Sequence, residues 1–225
     1  MLVLPATASW ASWVAKSHQR IDQGKVQQAE RAYQDGLDAV KREQFSDGIR
    51  FFSDGIAAIE DSGIQTAQDV PEETIELVLN LHRNHIVTHS LAGSTLCQRA
   101  LSVLGRGEWK PAAFDEARPI FQEALPYLKR SIALVRELAT THPDIKQFLD
   151  QHTRFDASAH LKADGEVPFS DHYLASAYRS LGMSAIILKD ETLKTEALQE
   201  LRQLGREDLV QQVEQFHTGL ATKLL

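Results

Sequence analysis

The chain has a single cysteine among its 225 residues, which excludes a fold held together by internal disulfides and a metal site made only of cysteines. A lone thiol cannot form a disulfide within the chain, and it cannot supply a metal site built only from cysteine. Cysteine usage of this kind is typical of a reducing compartment, so we expect the cytoplasm or another reducing compartment. Cys97 falls on an apolar face of a predicted helix, where an inert buried thiol is the expected state.

Clustered basic residues and long apolar runs are also missing. The 24 Lys and Arg residues are scattered and are outnumbered by 31 Asp and Glu residues, which gives a formal net charge of −7. Nucleic-acid binding requires a basic patch that neutralises phosphates, so the sequence predicts no nucleic-acid partner. No stretch reaches the roughly 18 consecutive apolar residues of a transmembrane helix, so the sequence predicts no membrane span.

The N-terminal segment, residues 1–24, is the only part that is similar to a targeting signal. It lacks a basic region before its apolar start, which disfavours a secretory signal. Lys16 and Arg20, with no acidic residue before them, leave organelle import open. The alternative is a short helix on which Trp10 and Trp13 share one face.

Apolar residues recur at helical spacing through residues 25–225, and no segment shows the sustained alternation of a strand. The pattern predicts an all-α fold with one helical domain, which subdivides into a repeat-like core over 25–140 and a C-terminal helical part over 141–225. The predicted helices cover 25–43, a segment capped by Ser46 and Asp47 that reaches Ile59, 71–104, 114–138, a short segment from about 142, 170–189, 191–204 and the residues from 206 onward. Gly205 is predicted to follow directly after the end of the helix over 191–204. Residues 153–169 are the best candidate for a loop.

Two prolines interrupt the predicted helix over 114–138. Pro119 and Pro126 lie one heptad apart, on the side away from the apolar stripe. Proline removes a backbone N–H donor, and its ring clashes with the preceding turn. We therefore predict a kinked or segmented helix here, bent around its packed face.

Two glycines stand inside a predicted helix in the stretch FSDGIRFFSDGIAAIE, residues 45–60, although each costs about 1 kcal/mol relative to alanine. The stretch alternates large and small side chains on one face, and the same spacing recurs about 70 residues later. Small residues at this spacing let a neighbouring helix approach closely, while the large ones fill the space beside it. The predicted helix-contact residues are Gly48, Phe52 and Gly55, with Ala117, Phe121 and Ala124 as the second set.

These segments resemble the second helix of a tetratricopeptide repeat, a helix-turn-helix unit that stacks into solenoids. Gly36 and Gly105 stand where that family has its first-helix glycine. The resemblance covers about a third of the chain and implies antiparallel helical hairpins with a groove for a protein partner. Asp35 replaces the large residue that the family has before the glycine, and 71–104 does not divide into repeats. A plain α-helical bundle is the alternative architecture.

A histidine cluster supports a competing function. In the sequence HRNHIVTH, three histidines fall within a wedge of about 60° on one predicted helix. His85 and His89 have the i, i+4 spacing that two metal ligands on one helix require, and His82 is the third. Histidines on a packed helix face are more often hydrogen-bonded core residues. The alternative that this cluster raises is a helical-bundle metalloenzyme or metal-binding protein.

The sequence favours a non-enzymatic protein–protein interaction module, a scaffold or accessory subunit of a larger complex that needs no cofactor. Exposed aromatic residues are frequent interface anchors, so Trp10, Trp13 and Trp109 are the candidate partner-binding residues. No catalytic residue stands out, because the sequence has no phosphate-binding glycine loop and no recognisable nucleophile motif. Whether the chain is an enzyme stays open at this stage.

Overall fold

A computed structural model describes residues 21–64, 72–156 and 166–224. The chain is all-α, as predicted, and its helices pack as antiparallel pairs, α1 with α2 and α3 with α4. The described helices are α1 (Gln23–Lys41), α2 (Phe45–Asp61), α3 (Glu72–Arg106), α4 (Pro111–Thr141), α5 (Pro143–His152), α6 (Phe169–Leu188), α7 (Glu191–Gln203) and α8 (Glu207–Leu224). Two three-residue strands, β1 (Arg154–Asp156) and β2 (Glu166–Pro168), pair antiparallel at the two ends of the predicted loop.

The chain divides into two compact units. The first contains the described residues up to Thr88 together with His142–Phe148, and the second contains His89–Thr141 and the described residues from Leu149 onward. The division between these units falls inside α3, between Thr88 and His89. The apolar pattern of α3 continues through this point without a break, so the sequence gives no sign of it.

At the open end of the α1–α2 hairpin, a backbone hydrogen bond joins the residue before α1 to the residue after α2. The Asp22 carboxylate accepts from the Gly24 N–H at 2.8 Å and caps α1, and the Asp22 N–H donates to the Ser62 carbonyl at 3.1 Å. The predicted cap of α2 by Ser46 and Asp47 is wrong. The helix begins earlier, at Phe45, and its N-cap residue Gln44 makes no side-chain cap bond.

Glycines bring the helices of the first unit close together. A β-carbon built on Gly48 would lie 2.8 Å from Val40 Cγ2 of α1, and one built on Gly55 would lie 2.6 Å from Leu81 Cδ2 of α3. Real β-carbons do not approach other atoms this closely, so a side chain at either position forces its neighbour to move. Gly36 of α1 faces the ring of Phe52, which is fully buried.

The prediction of a kinked or segmented helix is wrong as to segmentation, because α4 is a continuous helix of 31 residues through both prolines. The kink stays a prediction. Pro119 and Pro126 are exposed, as their position opposite the apolar stripe predicts. The places where these prolines remove backbone hydrogen bonds therefore lie on the water-exposed side of α4, while the opposite side packs into the core of the second unit. The buried stripe is Ala113, Phe114, Ala117, Phe121, Ala124, Leu128, Ser131, Ile132, Val135 and Leu138.

Helix α6 occupies the centre of the second unit, in contact with α4, α7 and α8. Twelve of its 20 residues are buried, so it is covered on more than one side. Gly205, with φ +69°, ends α7 as predicted. Among the helices that the structure describes, none combines the length and the hydropathy needed to cross a membrane.

Candidate functional site

An open groove follows the solvent-exposed side of the α1–α2 hairpin in the first unit. It consists of two recesses of about 280 and 370 Å³ that meet at Asp35 and Phe51. Ala32 and Ala39 are buried beneath it, and their small side chains leave the space open. The hairpin groove is lined by Gly24, Gln27, Gln28, Arg31, Ala32, Asp35, Asp38, Ala39, Arg42, Gln44, Asp47, Arg50, Phe51 and Asp54.

Two adjacent phenylalanines of α2 have opposite roles. Phe52 points into the hairpin, where it is fully buried with its ring 6.1 Å from that of Tyr33. Phe51 is only half-buried and lies where the two recesses meet. The Arg50 guanidinium sits over the Phe51 ring, with its carbon 4.3 Å from the ring centroid, which is a cation–π contact.

The charges along the groove are only partly matched within the hairpin. Arg50 lies between two carboxylates, 3.4 Å from Asp47 and 3.8 Å from Asp54. Near the end of α1, Lys41 pairs with Asp38 at 3.0 Å. Three further exposed groove residues form no ion pair with any residue that the structure describes. They are Arg31, Asp35 and Arg42.

The tetratricopeptide resemblance implied a groove for a protein partner, but sequence reasoning did not identify the residues that line the hairpin groove. The polar residues of α1 at positions 28, 31, 35 and 38 follow the helical period, and this signal is also that of an ordinary solvated helix face. Asp35 was informative only as a departure from the tetratricopeptide pattern. The groove depends on how α1 and α2 pair, which local periodicity does not specify.

Trp109, a predicted partner-binding residue, lies in the tight turn between α3 and α4 and is half-buried. Its ring packs against Phe114 with centroids 6.4 Å apart, and edge-on against Phe216 at 6.3 Å. Both Glu108 and Trp109 have positive φ, at 53° and 58°, a conformation that bulky residues rarely adopt. The structure therefore places Trp109 in the aromatic packing of the second unit. The two other predicted anchors, Trp10 and Trp13, lie outside the described residues.

The structure divides the histidine cluster between the units. His82 and His85 belong to the first unit, where the His82 ring is 5.0 Å from that of His142. Burial, followed by the neighbouring charges of His142 and His85, lowers the pKa of His82 from 6.5 to about 3. In the described ranges, no group of three or more His, Cys, Asp or Glu side chains is arranged to hold a metal ion.

His89 belongs to the second unit, and it packs against the ring of Tyr127 with centroids 6.2 Å apart. Burial lowers the pKa of His89 to about 4, and the charge of Arg130 acts in the same direction. Both His82 and His89 are therefore neutral imidazoles at pH 7. His89 is buried, as expected of a core histidine, and His82 is partly buried. The metal-site alternative stays a prediction that these contacts do not favour.

Comparison with known protein families, curated proteins and solved structures finds no match for this chain. The tetratricopeptide resemblance therefore stays a prediction that rests on its residues alone.

Proposed function

We propose that this chain is a non-enzymatic protein–protein interaction module, a scaffold or accessory subunit, and that the hairpin groove binds its protein partner. The observation that carries the proposal is the placement of Phe51 and Arg50 at the centre of an open, charged groove. Aromatic and arginine side chains at the centre of a surface are the residues that dominate binding energy in protein interfaces.

The chemistry of the groove favours a protein over a small molecule. Small-molecule sites are concave and mostly apolar, and they bury most of the ligand. Both recesses here are broadly open, and most of their lining residues are polar or charged. The groove extends along α1 from Gly24 to Arg42, about 27 Å at 1.5 Å per residue, which suits an extended or helical segment of a partner.

The three unmatched charges supply specificity in this proposal. A partner that carries a cation opposite Asp35 and anions opposite Arg31 and Arg42 completes the ion pairs that the hairpin leaves open. Complementary charges of this kind fix the register of a partner and suppress incorrect partners. The tetratricopeptide likeness enters the proposal only for the α1–α2 hairpin, because α3 and α4, at 35 and 31 residues, are not the short paired helices of that family.

Affinity capture from an extract of the source organism tests the proposal, with the full-length chain immobilised. The variants are Phe51→Ala and Asp35→Lys, both in the hairpin groove. The matched controls are Leu91→Ala, an exposed apolar residue of α3, and Glu60→Lys, an exposed acidic residue of α2 outside the groove. All four variants are first checked for an unchanged far-ultraviolet circular dichroism spectrum.

We expect the same protein to be captured reproducibly by the wild type and both controls. Its recovery by each groove variant should fall at least about tenfold, the loss expected from a hot-spot residue. Equal recovery by the groove variants and the controls would contradict the proposal, as would a wild-type chain that captures no protein reproducibly.

A further inference from the structure

Arg179 of α6 is a partly buried cation in the second unit that lacks a carboxylate partner. Its Nε donates a hydrogen bond to Gln212 Oε1 of α8 at 2.8 Å, and the other side chain that acts on its charge is the Cys97 thiol. Its remaining guanidinium N–H groups donate to no acceptor in the described residues. Burial lowers the pKa of Arg179, because desolvation disfavours the charged guanidinium.

The other arginines that form polar contacts in this unit are matched with acids. Arg206, whose side chain is 11% exposed, donates through Nε and Nη2 to both carboxylate oxygens of Asp208, at 3.0 and 3.1 Å. Exposed arginines pair in the same way: Arg118 with Asp115, Arg130 with Glu137, Arg136 with Glu200, and Arg202 with Glu214. A partly buried guanidinium gains more from an acid than an exposed one does, yet Arg179 has an amide instead.

We propose that Arg179 is the binding site for an oxyanion, a carboxylate or phosphate group that comes from outside this chain. Gln212 holds the guanidinium through Nε, which leaves the Nη1 and Nη2 groups to donate two parallel hydrogen bonds. This two-point geometry matches a carboxylate or phosphate and is specific to arginine. The site is separate from the hairpin groove and does not depend on the function proposed for it.

The proposal carries a consequence for stability. A cation that is partly buried without an anion destabilises the ligand-free protein. Replacing Arg179 with methionine, an apolar side chain of similar length, should therefore raise the melting temperature of the ligand-free protein. If Arg179 served only to join α6 to α8 through Gln212, the same change should lower the melting temperature.

Thermal unfolding at constant ionic strength tests the site, with sodium chloride exchanged stepwise for sodium phosphate or sodium acetate. The variants are Arg179→Met and Arg179→Lys, and the control is Arg99→Met, an exposed arginine of α3 in the same unit. Lysine keeps the positive charge without the two-point geometry, so this variant also covers the case in which Arg179→Met fails to fold.

We expect the melting temperature of the wild type and of Arg99→Met to rise saturably with the oxyanion. Arg179→Met should show no such rise. Arg179→Lys should show a rise with an apparent affinity at least about tenfold weaker than that of the wild type. A rise with phosphate identifies a phosphate group as the ligand, and a rise with acetate alone identifies a carboxylate such as a partner's acidic side chain. No rise in the wild type, or equal rises in the wild type and the Arg179 variants, would overturn the proposal.

Discussion

Gly36 of α1 and Phe52 of α2 are in direct contact at the centre of the first hairpin. A β-carbon at position 36 would lie 2.6 Å from Cε1 of the Phe52 ring and 2.9 Å from two further ring atoms. Phe52 has no exposed surface, so its ring has no room to move away. The glycine thus sets the distance between the two helices that form the hairpin groove.

We expect Gly36→Ala to lower the free energy of unfolding by about 1–3 kcal/mol, because an added methyl group overpacks the hairpin. The control is Gly105→Ala on α3, where an added β-carbon meets no atom within 4 Å. That change should stabilise the protein by about 0.5–1 kcal/mol, since alanine is the better helix former. Urea unfolding measures both. A Gly36→Ala variant as stable as Gly105→Ala would refute the close contact.

Glu43 occupies the turn between α1 and α2 with φ 60°, a conformation that glycine adopts at little cost. We predict that Glu43→Gly raises the free energy of unfolding by about 0.5–1 kcal/mol, because relief of the left-handed strain exceeds the added entropy of the unfolded chain. Glu30→Gly, at an exposed position inside α1, should lower the same free energy by about 1 kcal/mol. Urea unfolding measures both variants. If both lowered the free energy of unfolding by similar amounts, the result would be incompatible with the left-handed conformation of Glu43.

Pro126 removes a hydrogen bond from the interior of α4. Replacing it with alanine should restore the bond and raise the free energy of unfolding by about 1–3 kcal/mol. Pro111, the first residue of the same helix, has no such bond to lose, so Pro111→Ala should leave the stability unchanged or slightly lower. Chemical unfolding of the two variants measures this difference in the free energy of unfolding. A lower free energy of unfolding for Pro126→Ala would contradict the prediction, because it would mean that the proline stabilises α4.

Two histidines should make the folded state sensitive to acid. The pKa of His82 is about 3 and that of His89 about 4, whereas an unfolded histidine titrates near 6.5. As the pH falls below 6.5, the unfolded chain takes up protons that the folded chain excludes. The folded state should therefore lose up to about 1.4 kcal/mol per pH unit for each histidine, down to about pH 4 for His89 and pH 3 for His82.

The groups that act on these histidines are His142 and His85 near His82, and Arg130 near His89. Urea unfolding between about pH 7.5 and pH 5 measures the loss of stability. His82→Gln should reduce the slope. A stability that does not fall in this interval would show that neither imidazole is held neutral.

The helices were predictable because their signals are local. Apolar spacing places α3 at 71–104 against the observed Glu72–Arg106, and Gly205 marks the end of α7 as expected. The continuity of α4 was not predictable, since the burial of its stripe by other helices outweighs the local effect of Pro119 and Pro126.

The site was harder to predict than the fold. Phe51 and Phe52 are adjacent and chemically identical, and only the pairing of α1 with α2 decides which ring is buried. The contact between Trp109 and Phe216 likewise joins residues far apart in the chain, so local sequence patterns could not predict it.

The most direct test of the central claim is the dissociation constant of the captured protein, purified and titrated calorimetrically against variants of this chain. We predict that Phe51→Ala weakens binding at least about tenfold and that Leu91→Ala leaves it within about twofold of the wild type. A dissociation constant unaffected by Phe51→Ala would contradict the assignment of the hairpin groove as the partner-binding surface.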